Sequence, residues 1–349
     1  MRIRELLKYI KLSHLFKYKM LNILSYILHK NLTSKKVYFK PLLMDIEPTT
    51  GCNFKCTMCQ VSSPNFKAKN MKFDTFKNII DQNKQLLKIK LQGLGEPLIN
   101  KHFFEMAKYV ENFGIFIETI SNGSLLTEDN IKKIIKFKSI YKISVSIDGA
   151  TNKTFENIRI NSNFDKVKRN VKLLNSEILK NKSKIQTRAL CLLQKSNYDE
   201  REEIIKLCRD LGFSELEFQV QMTGWGIPEW EEKNLSSDIN YNNGDTKKEL
   251  KKLINKYRKD SFSIRIQEEN LLSKENKCSY PWSTPYISAE GKVVPCCLIA
   301  DPAVSSLGDI NENKFSEIWN SKDYKNIRQS ILDHNLKEFC KNCYKEFRN

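Results

Sequence analysis

Between residues 42 and 221, six short runs rich in aliphatic and β-branched residues alternate with five longer runs of helical periodicity, and few folds accept that rhythm. The strand-like runs cover 42–47, 87–92, 115–120, 140–147, 185–193 and 216–221, and the helix-like runs cover 71–86, 101–112, 128–137, 164–179 and 199–211. Strands separated by helices pair in parallel, because the crossover returns the chain to the same end of the sheet. The alternation therefore predicts an α/β fold, a parallel sheet wrapped by helices. Three connections that follow strands carry glycine: Gly93-Leu94-Gly95, Ser121-Asn122-Gly123 and Asp148-Gly149. They are expected to gather on one rim, at the carboxyl ends of the strands, where ligand sites of βα folds collect.

At 349 residues, with 40% hydrophobic and 29% charged, the chain has the composition of a soluble globular protein with one large domain and a small one. Its ten cysteines crowd into short-range groups, two of them Cys-x-x-Cys, and no cleavable signal peptide precedes them. That favours metal ligation in a reducing cytoplasm over disulfides. Half of the net charge of +18 lies in residues 1–40, where ten Lys or Arg face one acid, Glu5. Apolar residues interleave with these charges as in an amphipathic helix, too interrupted to span a bilayer. The expectation is a basic helical extension packed on the body, with peripheral contact with anionic lipid on the inner face of the membrane as the competing reading. No nucleic-acid module accompanies the charge, so nucleic acid is not an expected partner. The remaining organisation reads as 41–222, the α/β body; 223–277, a polar linker with Trp225 and Trp230 and a last helix at 247–259; and 278–349, a second, smaller unit.

Directly after the first strand, Cys52, Cys56 and Cys59 place three thiols within eight residues. A four-iron cubane needs four ligands, so three thiolates leave one iron open for chemistry. A zinc site completed from afar, or a redox dithiol, are the alternatives. The spacing Cys-x3-Cys-x2-Cys resembles the defining motif of the radical S-adenosylmethionine (SAM) superfamily, and the likeness extends over roughly residues 42–349. It implies a partial (β/α)6 barrel in which Cys52, Cys56 and Cys59 hold a four-iron cluster whose open iron is chelated by SAM. Gly93, Gly95 and Glu96 look like the family's Gly-Gly-Glu element, which holds the cofactor's ammonium group, although Leu94 interrupts the usual glycine pair. Ser121 and Asn122 resemble its Thr-Asn-Gly element, Ser146 and Asp148 its Ser-Leu-Asp-Gly element, and Arg159 sits where relatives have a basic residue near the cofactor carboxylate.

The tail holds five more cysteines: Cys278, the adjacent pair Cys296 and Cys297, and Cys340 with Cys343. A hairpin of 285–289 and 292–295, turning at Glu290-Gly291, would bring Cys278 to Cys296, and a helix over 314–332 could return the chain to add Cys340 and Cys343. Zinc competes at any such four-thiol site. The pattern Cys278-x12-Gly291-x4-Cys296 resembles the opening of SPASM and Twitch domains, small α+β units that bind auxiliary iron–sulfur clusters; it selects Cys296 over Cys297 and implies one auxiliary four-iron cluster. Cys191 and Cys208 read as buried packing thiols.

The resemblance further implies reductive cleavage of SAM to a 5′-deoxyadenosyl radical that abstracts hydrogen, with a reductant such as flavodoxin or ferredoxin. The auxiliary cluster it implies favours a net two-electron oxidation, and with nothing resembling a leader-peptide-binding domain evident before the barrel, a small polar, sugar-like or lipid-linked substrate is expected. A ribosomal-peptide or protein maturase is the alternative within the family, and a non-catalytic zinc scaffold the alternative outside it. Glu47 and the carboxylates of 223–246 are the candidate substrate bases.

Overall fold

The computed structural model describes residues 16–29, 34–220, 222–241, 244–257, 262–267, 272, 275, 277–341 and 343–344. Arg2, Arg4, Lys8, Lys11 and Lys30 of the basic extension, and the ends of two expected elements at 221 and 258–259, lie outside the described residues. In chain order the strands are β1 (Leu43–Ile46), β2 (Lys55–Cys56), β3 (Lys88–Leu91), β4 (Phe116–Ser121), β5 (Ile140–Ser146), β6 (Arg159–Ile160), β7 (Gln186–Leu192), β8 (Glu215–Gln219), β9 (Ser263–Gln267), β10 (Tyr286–Ile287), β11 (Lys292–Val294) and β12 (Gly308–Asp309). All six expected strands are present, with bounds shifted by a residue or two. The five expected helices appear as Phe73–Gln82, Phe103–Glu111, Glu128–Ile134, Phe164–Lys180 and Arg201–Asp210.

The chain divides into two compact units, Met1–Thr50 with Ala68–Glu118 and Asn270–Asn349, and Gly51–Lys67 with Thr119–Glu269. In the first, β1 pairs in parallel with β3, and β3 with β4. The tail hairpin forms as expected, β10 antiparallel to β11, but its second partner was not legible: β10 also pairs in parallel with β1, Asp45 opposite Tyr286. The expected helix over 314–332 is broken into Phe315–Trp319 and Lys322–Leu332, because Ser321 caps the second segment by accepting the Tyr324 N–H. Buried Arg328 staples this tail, donating to the carbonyls of Pro281 and Lys35 and stacking on Trp319 and Tyr324.

The basic extension contributes the helix Phe16–His29, whose Ile23 packs on Leu42 and Leu87. Its Lys19 is fully buried and donates to the carbonyls of Leu86 and Gly114 at 2.8 and 3.0 Å. Packing on the body is thus observed. None of the described helices is long and apolar enough to cross a membrane.

In the second unit, β5, β7, β8 and β9 form a parallel sheet. β9 was not foreseen, nor was the helix Pro228–Ser237 inside the stretch read as linker. One face of these strands carries Ile143, Val145, Ala189, Cys191, Leu216 and Phe218, all buried; each is worth about 1.5–3 kcal/mol where the side chain is large and aliphatic or aromatic. Cys191 and Cys208 are wholly buried, as packing thiols should be. The alternate face is mixed, with Leu190 buried there beside two ion pairs: Lys142 with Glu215 at 2.9 Å, and Arg188 with Glu217 at 2.9 Å and with the Ser144 hydroxyl at 3.0 Å. Hydrogen-bonded ion pairs let polar groups sit on this face without an unsatisfied charge.

Candidate functional site

The cysteine loop belongs to the second unit, and its geometry is set by four side chains. Asn122, at the end of β4, donates to Cys52 Sγ at 3.7 Å and to Asn53 Oδ1 at 3.0 Å, while its own oxygen accepts from the backbone and hydroxyl of Ser124. The short β2, which ends on Cys56, pairs antiparallel with β6, which begins on Arg159. That pairing brings Arg159 Nη1 to 3.7 Å from Cys56 Sγ. Arg159 is held in turn by Asp148, whose Oδ2 accepts from Nε at 2.7 Å and Nη2 at 2.6 Å. Asp148 is fully buried at the end of β5, and its Oδ1 accepts the Leu192 N–H from the end of β7. Two strand ends, a guanidinium and a thiol are thereby joined in one hydrogen-bonded chain.

Burial pushes the Cys56 thiol up, with the Arg159 charge pulling it back, and pushes Cys59 up to about 12. Thiols of this kind give up their protons when a cation arrives, since metal ligands must be deprotonated. Asn234, on the unforeseen helix, donates to the Met58 carbonyl at 3.1 Å and closes the loop from its other side. Nothing in the local sequence singles out Asn234, because its contact spans 176 positions. Asn53 was also missed, though its place beside Cys52 was a usable signal. Ser121 accepts the Gly123 N–H at 3.0 Å, and Ser146 closes β5. Of the candidate bases in 223–246, Glu231 accepts the Gly224 N–H at 3.1 Å, and Trp225 meets Trp230 edge-on, ring centres 6.4 Å apart.

In the first unit the connection after β3 is built around Glu47. Its buried carboxylate accepts the Leu94 N–H at 2.8 Å and the Ala289 N–H at 3.1 Å, so one side chain ties the Gly93–Gly95 turn to the tail hairpin. Burial raises its pKa to about 7 against these two amide bonds. A Cβ at Gly93 would lie 2.2 Å from Glu47 Cγ, which is why glycine is required there. Gly93→Ala should therefore destabilise the fold by about 1–3 kcal/mol, read as a lowered urea midpoint, and should cost much less when made in a Glu47→Ala background, where the clashing side chain is gone. An unchanged midpoint for Gly93→Ala would remove Glu47 as the cause. Gly95 donates to the Thr49 carbonyl, and buried Glu96 caps the following turn by accepting the Leu98 N–H. Asp45, two residues before Glu47, is buried with neither carboxylate oxygen hydrogen-bonded, and burial raises its pKa.

The tail thiols lie in this unit. The charge environment of Cys296 contains Cys278, Cys340 and Cys343 together with Cys297, whereas Cys297 faces Asp45 and Lys90 and lies 3.6 Å from the Tyr280 hydroxyl. Tyr344 accepts the Cys278 N–H at 3.1 Å, anchoring that cysteine beside Cys340 and Cys343. Burial raises Cys278 to about 11 and Cys340 to about 12. Among the described residues, no three His, Cys, Asp or Glu side chains converge as a single metal ion requires. A cubane differs in holding each ligand on a separate corner, and both thiol groups are sulfur donor sets of the kind such clusters take.

The profile described as the radical SAM superfamily matches residues 46–208, and the profile of an iron–sulfur cluster-binding domain, SPASM, matches 278–344. The chain is 26% identical over 311 residues to the AdoMet-dependent heme synthase of Methanosarcina barkeri, covering 82% of this chain and 85% of that protein. It is 27% identical over 340 residues to the cysteine-type anaerobic sulfatase-maturating enzyme of Clostridium novyi, covering 87% and 85%. In fold it is similar to Streptococcus suis SuiB bound to the precursor peptide SuiA, with a TM-score of 0.68 at 14% identity over 89% of this chain and 70% of that one.

Proposed function

The chain belongs to the radical SAM superfamily and carries a C-terminal SPASM domain, and from that premise we propose that it is a maturase acting on a peptide or protein. As a radical SAM enzyme it binds SAM and a four-iron cluster, and its SPASM domain binds auxiliary iron–sulfur. In this reading Cys52, Cys56 and Cys59 hold the first cluster, and Cys278, Cys296, Cys340 and Cys343 the auxiliary one. Held there, the first cluster would supply the electron for reductive cleavage of SAM. The polypeptide's own contribution is placement. Arg159 and Asn122 stabilise the thiolates of Cys56 and Cys52 by hydrogen bonding, Asp148 fixes Arg159, and Glu47 fixes the Gly93–Gly95 turn ahead of Glu96. On the resemblance of their motifs, Gly93, Gly95, Glu96, Ser121, Asn122, Ser146, Asp148 and Arg159 are the proposed contacts of SAM itself. Cys296 is proposed to complete the thiol set on its spacing from Gly291, a choice supported by a charge environment that contains Cys278, Cys340 and Cys343. Glu47 and Glu231 act as braces of the backbone, so neither is proposed as the substrate base.

The observation that carries the peptide reading is the likeness, over 87% of the chain, to an enzyme whose name states that it matures a sulfatase. The neighbour SuiB, bound to a precursor peptide, supports the same class, as does the paired-charge face of β5, β7 and β8, suited to a polar chain. These weigh against the small sugar-like or lipid-linked substrate expected from the sequence. A tetrapyrrole substrate is the second reading, supported by the likeness to a heme synthase. The test is anaerobic incubation of the reconstituted enzyme with SAM, dithionite and synthetic peptides encoded by short reading frames beside its gene. Peptide mass change in step with 5′-deoxyadenosine release is the expected result; unaltered peptides, with conversion of a porphyrin supplied in a parallel reaction, would replace the proposal with the second reading.

A further inference from the structure

Nine large hydrophobic residues are exposed among the described residues, and five of them, Tyr18, Leu21, Leu24, Leu28 and Tyr38, fall in one short stretch. Leu21, Leu24 and Leu28 are 68%, 50% and 77% exposed, and their spacing of three and four puts them on one face of the helix Phe16–His29. The helix cannot roll to bury them. Its opposite face is pinned by the two bonds of buried Lys19 and by the packing of Ile23.

The chemistry around the stripe is one-signed. Residues 16–40 contain no Asp or Glu, and Lys17, Lys35 and Lys36 are exposed, Lys36 resting over the Tyr38 ring at 5.1 Å. Tyr18 also borders an open groove lined by Lys40, Lys84 and Lys314, whose one acid, Asp81, is already paired with Lys77 and Lys84. We propose that this leucine stripe with its lysines docks the enzyme on an anionic phospholipid surface. Leucines enter the boundary between headgroups and acyl chains, the tyrosines sit at headgroup level, and the lysines meet lipid phosphates. Charge complementarity selects lipid over a second copy of the chain, since two such faces would bring lysine against lysine.

The test is cosedimentation of the full-length protein with vesicles of phosphatidylglycerol and phosphatidylcholine, and with phosphatidylcholine alone. Binding to the anionic vesicles that weakens with salt is expected, with at least about a tenfold loss in Leu21→Ser/Leu24→Ser/Leu28→Ser. These positions are exposed, so the variant's circular dichroism and iron content should match the parent. Equal partitioning of parent and variant would overturn the proposal, as would a parent that stays in the supernatant at low salt. So would a dimer, seen by ultracentrifugation without vesicle binding, that the variant abolishes.

Discussion

Cys56→Ala is expected to lower 5′-deoxyadenosine formation by more than about 10³-fold, to the detection floor, because the cleavage step owes at least about 10⁶-fold acceleration to the enzyme. Cys56 is the strongest choice of the three loop thiols. It is buried, it ends β2, and it is the thiol against which Arg159 rests at 3.7 Å. Iron should fall from about eight to about four per chain, with the tail cluster retained, since the tail thiols belong to the other compact unit. Anaerobic iron analysis and chromatography of the nucleoside product measure both quantities on one sample. A variant that kept its deoxyadenosine activity would end the assignment of the loop thiols, and one that lost all iron would show that the two clusters depend on each other for assembly.

Asp148→Ala should destabilise the protein by about 3–5 kcal/mol, because it leaves a buried guanidinium without its partner. Asp148 is fully buried and the Arg159 side chain is 12% exposed, so water cannot take over the lost bonds cheaply. The Leu192 N–H at the end of β7 loses its acceptor in the same step. Removing both charges, in Asp148→Ala/Arg159→Met, should recover a large part of the loss, since an apolar pair is tolerated where a lone charge is not. Urea denaturation followed by circular dichroism, under argon, gives the three midpoints. Should the double variant be no more stable than Asp148→Ala, the penalty lies in the strand-end bond to Leu192 and not in the stranded charge.

The family resemblance marked Asp148 and Arg159 as members of SAM-contact motifs, and the structure adds that they are bonded to each other, with Arg159 against Cys56. Their motif was visible in the sequence; their mutual contact was not, because it depends on the antiparallel pairing of β2 with β6, two-residue strands with no periodicity to detect. The choice between Cys296 and Cys297 had the same character. Spacing from Gly291 pointed to Cys296, while only the packed tail shows Cys297 turned to Tyr280 and Asp45.

What the amino-acid order alone determined is whatever depends on near neighbours: the strand and helix alternation, the glycine turns after strands, the hairpin at Glu290-Gly291, and three thiols close enough to share one loop. These follow from backbone sterics and short-range spacing, which a local reading contains in full. Tertiary structure alone decided that β10 extends the sheet beside β1, that Glu47 fills the space above Gly93, that Asn234 closes the cysteine loop, and which face of the first helix stays bare. Each of these joins residues tens to hundreds of positions apart. Such contacts are selected by the packing of the whole chain against its entropy, and no local pattern encodes the partner.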